Sequence, residues 1–398
     1  MIMVKKKLVY LLNLFLIFGI LFACSSDDGE ENFPEDTQNP TITCQANINV
    51  NIASTESSVA ITYPLPTATD NVSARVILLK GLKSGEQFPV GTTTNTFRAF
   101  DEAGNSVECS FDVIVTRDSP SNNQPYFIGN DPKPTGKKWT KVENLSDDFN
   151  GTTFDDVKWH RNPSTDGFNW RGRPPGLFKS ENVTVANGNL NVAVQKLAST
   201  QTVNGNEYTH SGAIIRSKKV AVQGQYYECR MKANSTVMSS TFWIAYKQSC
   251  SSGPVRKLEL DIQECVGRVH NGTSDWAKDY ANIFASNTWR HQRTCDTGEN
   301  ESKQSPGKTI LSEENNSRYF VYGCWWKSPT EILFYLDGEY THSITPPTDF
   351  DLEGHITMAI ETYDWNPVDD AGSIFNTGSV DELTTKYDWV RTWKLEDE

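Results

Sequence analysis

Positive charge is scarce in this chain: 37 Lys and Arg stand against 50 Asp and Glu, a formal net charge of −13 over 398 residues. A general nucleic-acid binder shows a basic footprint instead, so that class is set aside. There is no glycine loop able to cradle a nucleotide, no zinc-ligand spacing and no Ser/His/Asp grouping, and the six His are scattered. At 37% hydrophobic residues the chain is too polar overall for a multispan membrane protein. What is abundant is aromatic: 11 Trp, 14 Tyr and 19 Phe are too many for a disordered chain. At roughly 150 residues per domain, the length suggests two or three folded bodies.

The first residues read as an address. Lys5, Lys6 and Lys7 precede a nearly unbroken apolar run, Leu8 to Phe22, too short to be a typical membrane span. The run ends in Leu21-Phe22-Ala23-Cys24, which resembles the lipobox of bacterial lipoproteins. That resemblance implies a signal peptide over 1–23, lipidation of Cys24, and a membrane contact through the lipid anchor only. Residues 24–39 are then an acidic tether, solvated and extended. Similar acidic stretches mark export to the cell surface in some outer-membrane lipoproteins, so the expected location is the outer membrane, facing outward. Eight Cys less Cys24 leaves seven in an oxidising compartment, an odd number that keeps at least one thiol free within the chain.

Residues 40–118 show short strands with turn signals. Val107, Cys109, Phe111, Val113 and Val115 alternate with Glu108, Ser110 and Asp112, a period of two that buries one face. The turn Asp101-Glu102-Ala103-Gly104-Asn105 precedes them, and Cys44 and Cys109 sit where a disulfide can staple the unit. With Pro40-Thr41-Ile42-Thr43-Cys44, Ala68-Thr69-Asp70 and Phe88-Pro89-Val90-Gly91, this stretch resembles the hyalin repeat, which implies a small immunoglobulin-like sandwich with an adhesion or spacer role. Residues 119–138, rich in Pro, Ser and Asn, read as a linker. From 139 to 398 the chain is all-β in pattern and long enough for one large sandwich: Asn187-Gly188 marks a hairpin, and Tyr227, Cys229 and Met231 share one strand face, making Cys229 an inert core thiol.

The chemistry concentrates in Leu258-Glu259-Leu260-Asp261-Ile262-Gln263-Glu264. On a regular strand Glu259 and Asp261 share a face opposite Leu260 and Ile262. Glu264, five positions from Glu259, falls on the apolar side unless a β-bulge near Gln263 returns it to the carboxylate face. Burying a lone carboxylate is costly, so the bulge is expected on energetic grounds. Carboxylates gathered this way repel, cannot all ionise normally, and suit a nucleophile and proton-donor pair such as retaining glycosidases hold about 5 Å apart.

Glu-x-Asp-x-x-Glu resembles the signature of the bulged branch of glycoside hydrolase family 16, a β-jelly-roll family with a sugar-binding cleft. The resemblance implies Glu259 as nucleophile, Glu264 as general acid/base and Asp261 as the carboxylate that tunes the nucleophile. Trp170-Arg171-Gly172-Arg173-Pro174-Pro175, Met238 to Trp243 and Glu361-Thr362-Tyr363-Asp364-Trp365-Asn366-Pro367 are similar to the cleft-forming segments of β-agarases and β-porphyranases. They nominate Trp170, Trp243, Glu361 and Trp365 for substrate binding, with Trp289 from the segment bordering the carboxylate strand. Arg173 and Arg256 are nominated as forks for a sulfate ester. Salt of marine strength screens the overall negative charge, so local arginines outweigh it.

The expected activity is endo-cleavage of internal β-1,4 links of an agar-type red-algal galactan, leaning to porphyran, with unsulfated agarose as the alternative. A non-catalytic surface glycan-binding protein is the rival of another class, and an adhesin built on the small sandwich is a third. No cofactor is required. Asp148 and Asp388 are noted for a structural calcium, and no metal is assigned.

Overall fold

The computed structural model describes residues 36–398 apart from 54–55, 57, 119–120, 122, 248–252, 352 and 369–372. The signal segment, Cys24 and most of the acidic tether therefore lie outside the described residues. The chain divides into two compact units.

The first unit is built from residues up to Gln45 together with 65–81 and 95–111. Strand Arg75–Lys80 pairs antiparallel with residues 96–100 of strand Gly91–Phe100. Cys44 and Cys109 are joined by a disulfide that closes 65 residues. The Asp101 carboxylate accepts the Gly104 and Asn105 amides, and Gly104 sits at φ 97°, where a side chain would be strained. The expected turn before strand Ser106–Arg117 thus forms by local side-chain chemistry.

The second unit holds residues 46–64, 82–94 and 112–398. Ile48–Ile52 runs parallel to residues 113–117. The large body that follows is a pair of sheets. Among the described residues one sheet has nine strands, with Asn206–Ala221, Gly354–Ile360, Ser239–Lys247, Pro254–Val266, Ile283–Thr294 and Asn300–Ile310 side by side. The other has eight, centred on Thr384–Asp397, Tyr226–Lys232 and Phe320–Ser328. Between them lies one continuous core, to which Tyr227, Cys229 and Met231 contribute from one side and Phe242, Ile244, Leu260, Ile262, Ile356 and Met358 from the other. Burial pushes the Cys229 thiol well above its ordinary range, in keeping with an inert core residue. The Asn187-Gly188 hairpin also forms, with both residues at positive φ between strands Val183–Ala186 and Asn189–Ala193.

Alternation then decides what the open face of the nine-stranded sheet presents. Because Phe242 and Ile244 point into the core, Thr241, Trp243 and Ala245 point out. Trp243, Ala245, Ile214, Ala359 and Phe178 make a small apolar floor there, with Trp170 packed on it. On the outer face of the other sheet, Phe127 and Trp139 cover Tyr226, Trp325 and Trp393. Part of the stretch read as linker, 119–138, is therefore packed: Tyr126 and Phe127 are buried, and the Tyr126 amide donates to the buried Glu228 carboxylate at 3.0 Å.

Removing the Cys44–Cys109 bond forfeits a loop-closure contribution of about 4 kcal/mol on the chain-entropy model. A C44S/C109S variant is expected to unfold its N-terminal β region at a lower temperature in calorimetry; an unchanged melting profile would contradict that contribution.

Candidate active site

Strand Pro254–Val266 carries the carboxylates and breaks its pairing where the parity argument requires. Against the neighbouring strand Ser239–Lys247, Glu259 faces Ala245 and Asp261 faces Trp243, but the next pairs are Gln263 with Phe242 and Glu264 with Thr241. Ile262 is thus the extra residue of a bulge, and Glu264 returns to the face of Thr241, Trp243 and Ala245. On the other side, regular pairing with strand Ile283–Thr294 ends at Asp261 and Asn287. Side chains take over the interrupted ladder: Gln263 Oε1 accepts the Glu264 and Ala285 amides, Gln263 Nε2 donates to the Ile283 carbonyl, and Ser286 Oγ donates to the Ile262 carbonyl. Buried backbone groups must be paired, and these two polar residues make the bulge affordable in the interior.

The walls are loops fixed by equally specific contacts. Asp166 accepts the Phe168 and Asn169 amides through one oxygen and Arg216 Nε through the other at 2.9 Å, both side chains being 2% exposed. Arg216 in turn lies 3.9 Å beneath the Phe168 ring. The following turn needs Gly172, at φ 108°, since a Cβ there would stand 2.2 Å from the Gly176 carbonyl oxygen. Thr362 Oγ1 donates to the Arg173 carbonyl and accepts the Gly176 amide, which ties this turn to the Glu361–Tyr363 segment. Arg173 then bonds Glu361 at 3.0 Å and lies over the Tyr363 ring.

The result is a cavity of about 500 Å³ lined by Trp170, Arg173, Trp243, Glu259, Asp261, Glu264, Glu361 and Tyr363 among others. Lys257 Nζ bonds Glu259 at 2.6 Å, and the Tyr363 hydroxyl donates to Glu264 Oε1 at 2.5 Å. Burial holds the Asp261 carboxyl well above the usual carboxylate range, with Glu259 and Glu264 adding to it. Burial also raises Glu264, against the Tyr363 hydrogen bond, while Glu259 pushes the same way as burial. Glu361 is pushed up to about 7 by burial in spite of Arg173. The cleft therefore combines a lysine-paired carboxylate with buried carboxyls biased toward their protonated form, an arrangement suited to nucleophile and acid/base chemistry.

The nominated residues separate as follows. Glu259, Asp261, Glu264, Trp170, Arg173, Trp243 and Glu361 line one cavity. Trp365 stands beside it, stacked on Tyr363 at 4.8 Å. Trp289 pairs directly across from Glu259 and stacks on His291, outside the lining. Arg256 is not brought to the cleft: it bonds the Asp351 carboxylate at 2.9 Å and the Asp349 carbonyl. Its odd offset from Glu259 places it on the opposite strand face, the physical reason for the correction. Lys257, at the even offset, is the cation that parity would have found. Asp148 and Asp388, noted for calcium, face Arg391 at 2.7 Å and Arg230 at 2.5 Å. Sequence reasoning also missed Tyr363, whose alternation with Glu361 and Trp365 was a usable signal, and Arg216, whose partner lies 50 residues away and left none.

Comparison with known proteins identifies the family and the fold. Residues 139–395 match the GH16 domain of β-porphyranases A–D, and residues 35–115 match the HYR domain. β-Porphyranase B of Zobellia galactanivorans is 42% identical over 288 residues, covering 72% of this chain and 95% of that protein. The crystal structure of that organism's porphyranase B superposes with a TM-score of 0.62 at 42% identity, over 69% of this chain and all of the other. A β-porphyranase structure from Bacteroides plebeius gives a TM-score of 0.60 at 32% identity, over 69% of this chain and 96% of that one. The chain is thus a glycosidase with a jelly-roll catalytic body. It belongs to the β-porphyranase group of glycoside hydrolase family 16.

Because the Tyr363 hydroxyl stabilises the ionised form of Glu264, Tyr363→Phe removes a lowering influence and raises that carboxyl further. The protonated acid then persists to higher pH, so the basic limb of the kcat/KM profile is expected to move upward; a downward shift would contradict the assignment.

Proposed function

We propose that the chain is an endo-acting, retaining β-porphyranase that cleaves internal β-1,4 links of sulfated red-algal galactan. The observation that carries this reading is the bulge at Ile262, which sets Glu264 on the face of Glu259 and Asp261 inside a cleft that also presents Arg173. Glu264, biased toward its protonated form by burial, donates its proton to the departing glycosidic oxygen while the Glu259 carboxylate attacks the anomeric carbon. The covalent glycosyl–Glu259 ester is then opened by water, whose proton passes to the Glu264 carboxylate, and the configuration at the anomeric carbon is retained. Asp261, held toward the neutral acid, can donate a hydrogen bond within the carboxylate group and limit its mutual repulsion. Lys257 Nζ, 2.6 Å from Glu259, sets a positive charge beside the attacking carboxylate.

Substrate choice rests on Arg173. Its side chain remains 44% exposed although Nε is bonded to Glu361, which leaves guanidinium donors for a sulfate ester. The similar proteins named above are β-porphyranases, which supports the sulfated substrate over agarose. Attachment to the outer membrane through a lipid on Cys24, with the body facing outward, completes the proposal and rests on the sequence of the leader alone.

Reducing-end release by the full chain on porphyran and agarose, run side by side, tests the reading. Release from porphyran is expected; release from agarose alone would overturn the substrate. Glu264→Gln is expected to lower kcat by about 10²–10⁴ with the melting temperature kept, and near-normal kcat in that variant would remove its role. Arg173→Ala is expected to raise KM on porphyran, which an unchanged KM would contradict.

A further inference from the structure

One aromatic group lies outside the cavity described above. Of the 11 tryptophans, Trp276 is the exposed one, at 58%. It belongs to a short turn of 3-10 helix, Asp275–Ala277, in the loop that follows the carboxylate strand. Trp276 packs against Trp365 at 5.3 Å between ring centroids and edge-on against Tyr280 at 5.8 Å. Both neighbours lead back to the carboxylates. Trp365 stacks on Tyr363, the donor to Glu264, at 4.8 Å and an interplanar angle of 16°. The Tyr280 hydroxyl is pushed up to about 12 by burial, with Glu264 and Asp261 adding to the shift.

The ledge is held by its own framework. The Tyr280 carbonyl accepts the Val266 amide at the end of the carboxylate strand. Asn366, fully buried next to Trp365, accepts the His270 amide and the Thr273 hydroxyl and donates to the Val237 and Arg268 carbonyls. Such a scaffold fixes an exposed indole where its apolar body would otherwise be better buried. A rigid ring offers a stacking surface at low entropic cost, and its continuity with the cleft selects the occupant: the same sugar chain that the proposed function sets in the cleft.

We propose that Trp276, with Trp365 and Tyr280, forms a distal sugar-binding subsite that stacks on a galactose unit away from the scissile bond and favours long chains over short ones. The proposal rests on the reading of the cleft as a porphyran site. Titration calorimetry with the E259Q protein separates the two, using a porphyran tetrasaccharide and octasaccharide as probes. On introducing Trp276→Ala into E259Q, the octasaccharide-to-tetrasaccharide affinity ratio is expected to fall about tenfold, and Trp276→Phe is expected to restore most of it. An unchanged ratio, or equal loss on both probes, would overturn the subsite while leaving the substrate reading intact. A folded E259Q parent that binds neither probe would overturn the substrate reading and the subsite with it.

Discussion

The site depends on one unpaired residue, Ile262. Without the bulge the spacing of Glu259 and Glu264 would drive the second carboxylate into the core with Leu260, where a charge has no partner. With it, Glu259, Asp261 and Glu264 share a face and Ile262 still points into the sandwich, fully buried. The interruption is tolerated because Gln263 and Ser286 bond the backbone groups it leaves exposed. Fold and chemistry are therefore coupled at this point: the side chains that repair the ladder are the ones that let the carboxylates converge.

Crowding carboxyls into a buried cleft sets their protonation. Among the described residues the cations are placed at the margins: Lys257 beside Glu259, Arg173 beside Glu361 and Arg216 below, bound to Asp166. Asp261 and Glu264 instead have desolvation as the leading influence, which biases both toward the neutral acid. In the proposed mechanism the carboxylate bonded to Lys257 is the nucleophile and the one bonded to Tyr363 the proton donor, on the same strand. On the proposed reading the aromatic rings of the cleft offer apolar faces for sugar, and the hydrogen bond from Tyr363 joins them to Glu264.

Much of this was legible in the sequence because strands obey a parity rule. Parity assigned Glu259 and Asp261 to the open face, Leu260 and Ile262 to the core, and, through the cost of burying Glu264, the bulge itself. The Asp101 turn and the Asn187-Gly188 hairpin were legible for a local reason, since both are fixed by neighbouring residues. Arg256 was nominated by proximity in sequence, although its odd offset from Glu259 argued against it. Arg216 and Asp166 were illegible: a buried pair joined across 50 residues has no periodic signature, and only the folded loop brings it together. Tyr126 and Phe127 hid in a Pro-rich stretch whose composition outweighed two aromatic residues that the body buries.

The central claim is that Glu259 and Glu264 work as nucleophile and acid/base across the bulge, which commits the reaction to two displacements at the anomeric carbon. The most direct measurement is proton NMR of porphyran during the first minutes of digestion, before the newly formed reducing ends equilibrate. The account predicts the β-anomer as the initial product, with the α-anomer appearing later by mutarotation. An initial α-anomer would mean direct displacement by water and would contradict the role given to Glu259.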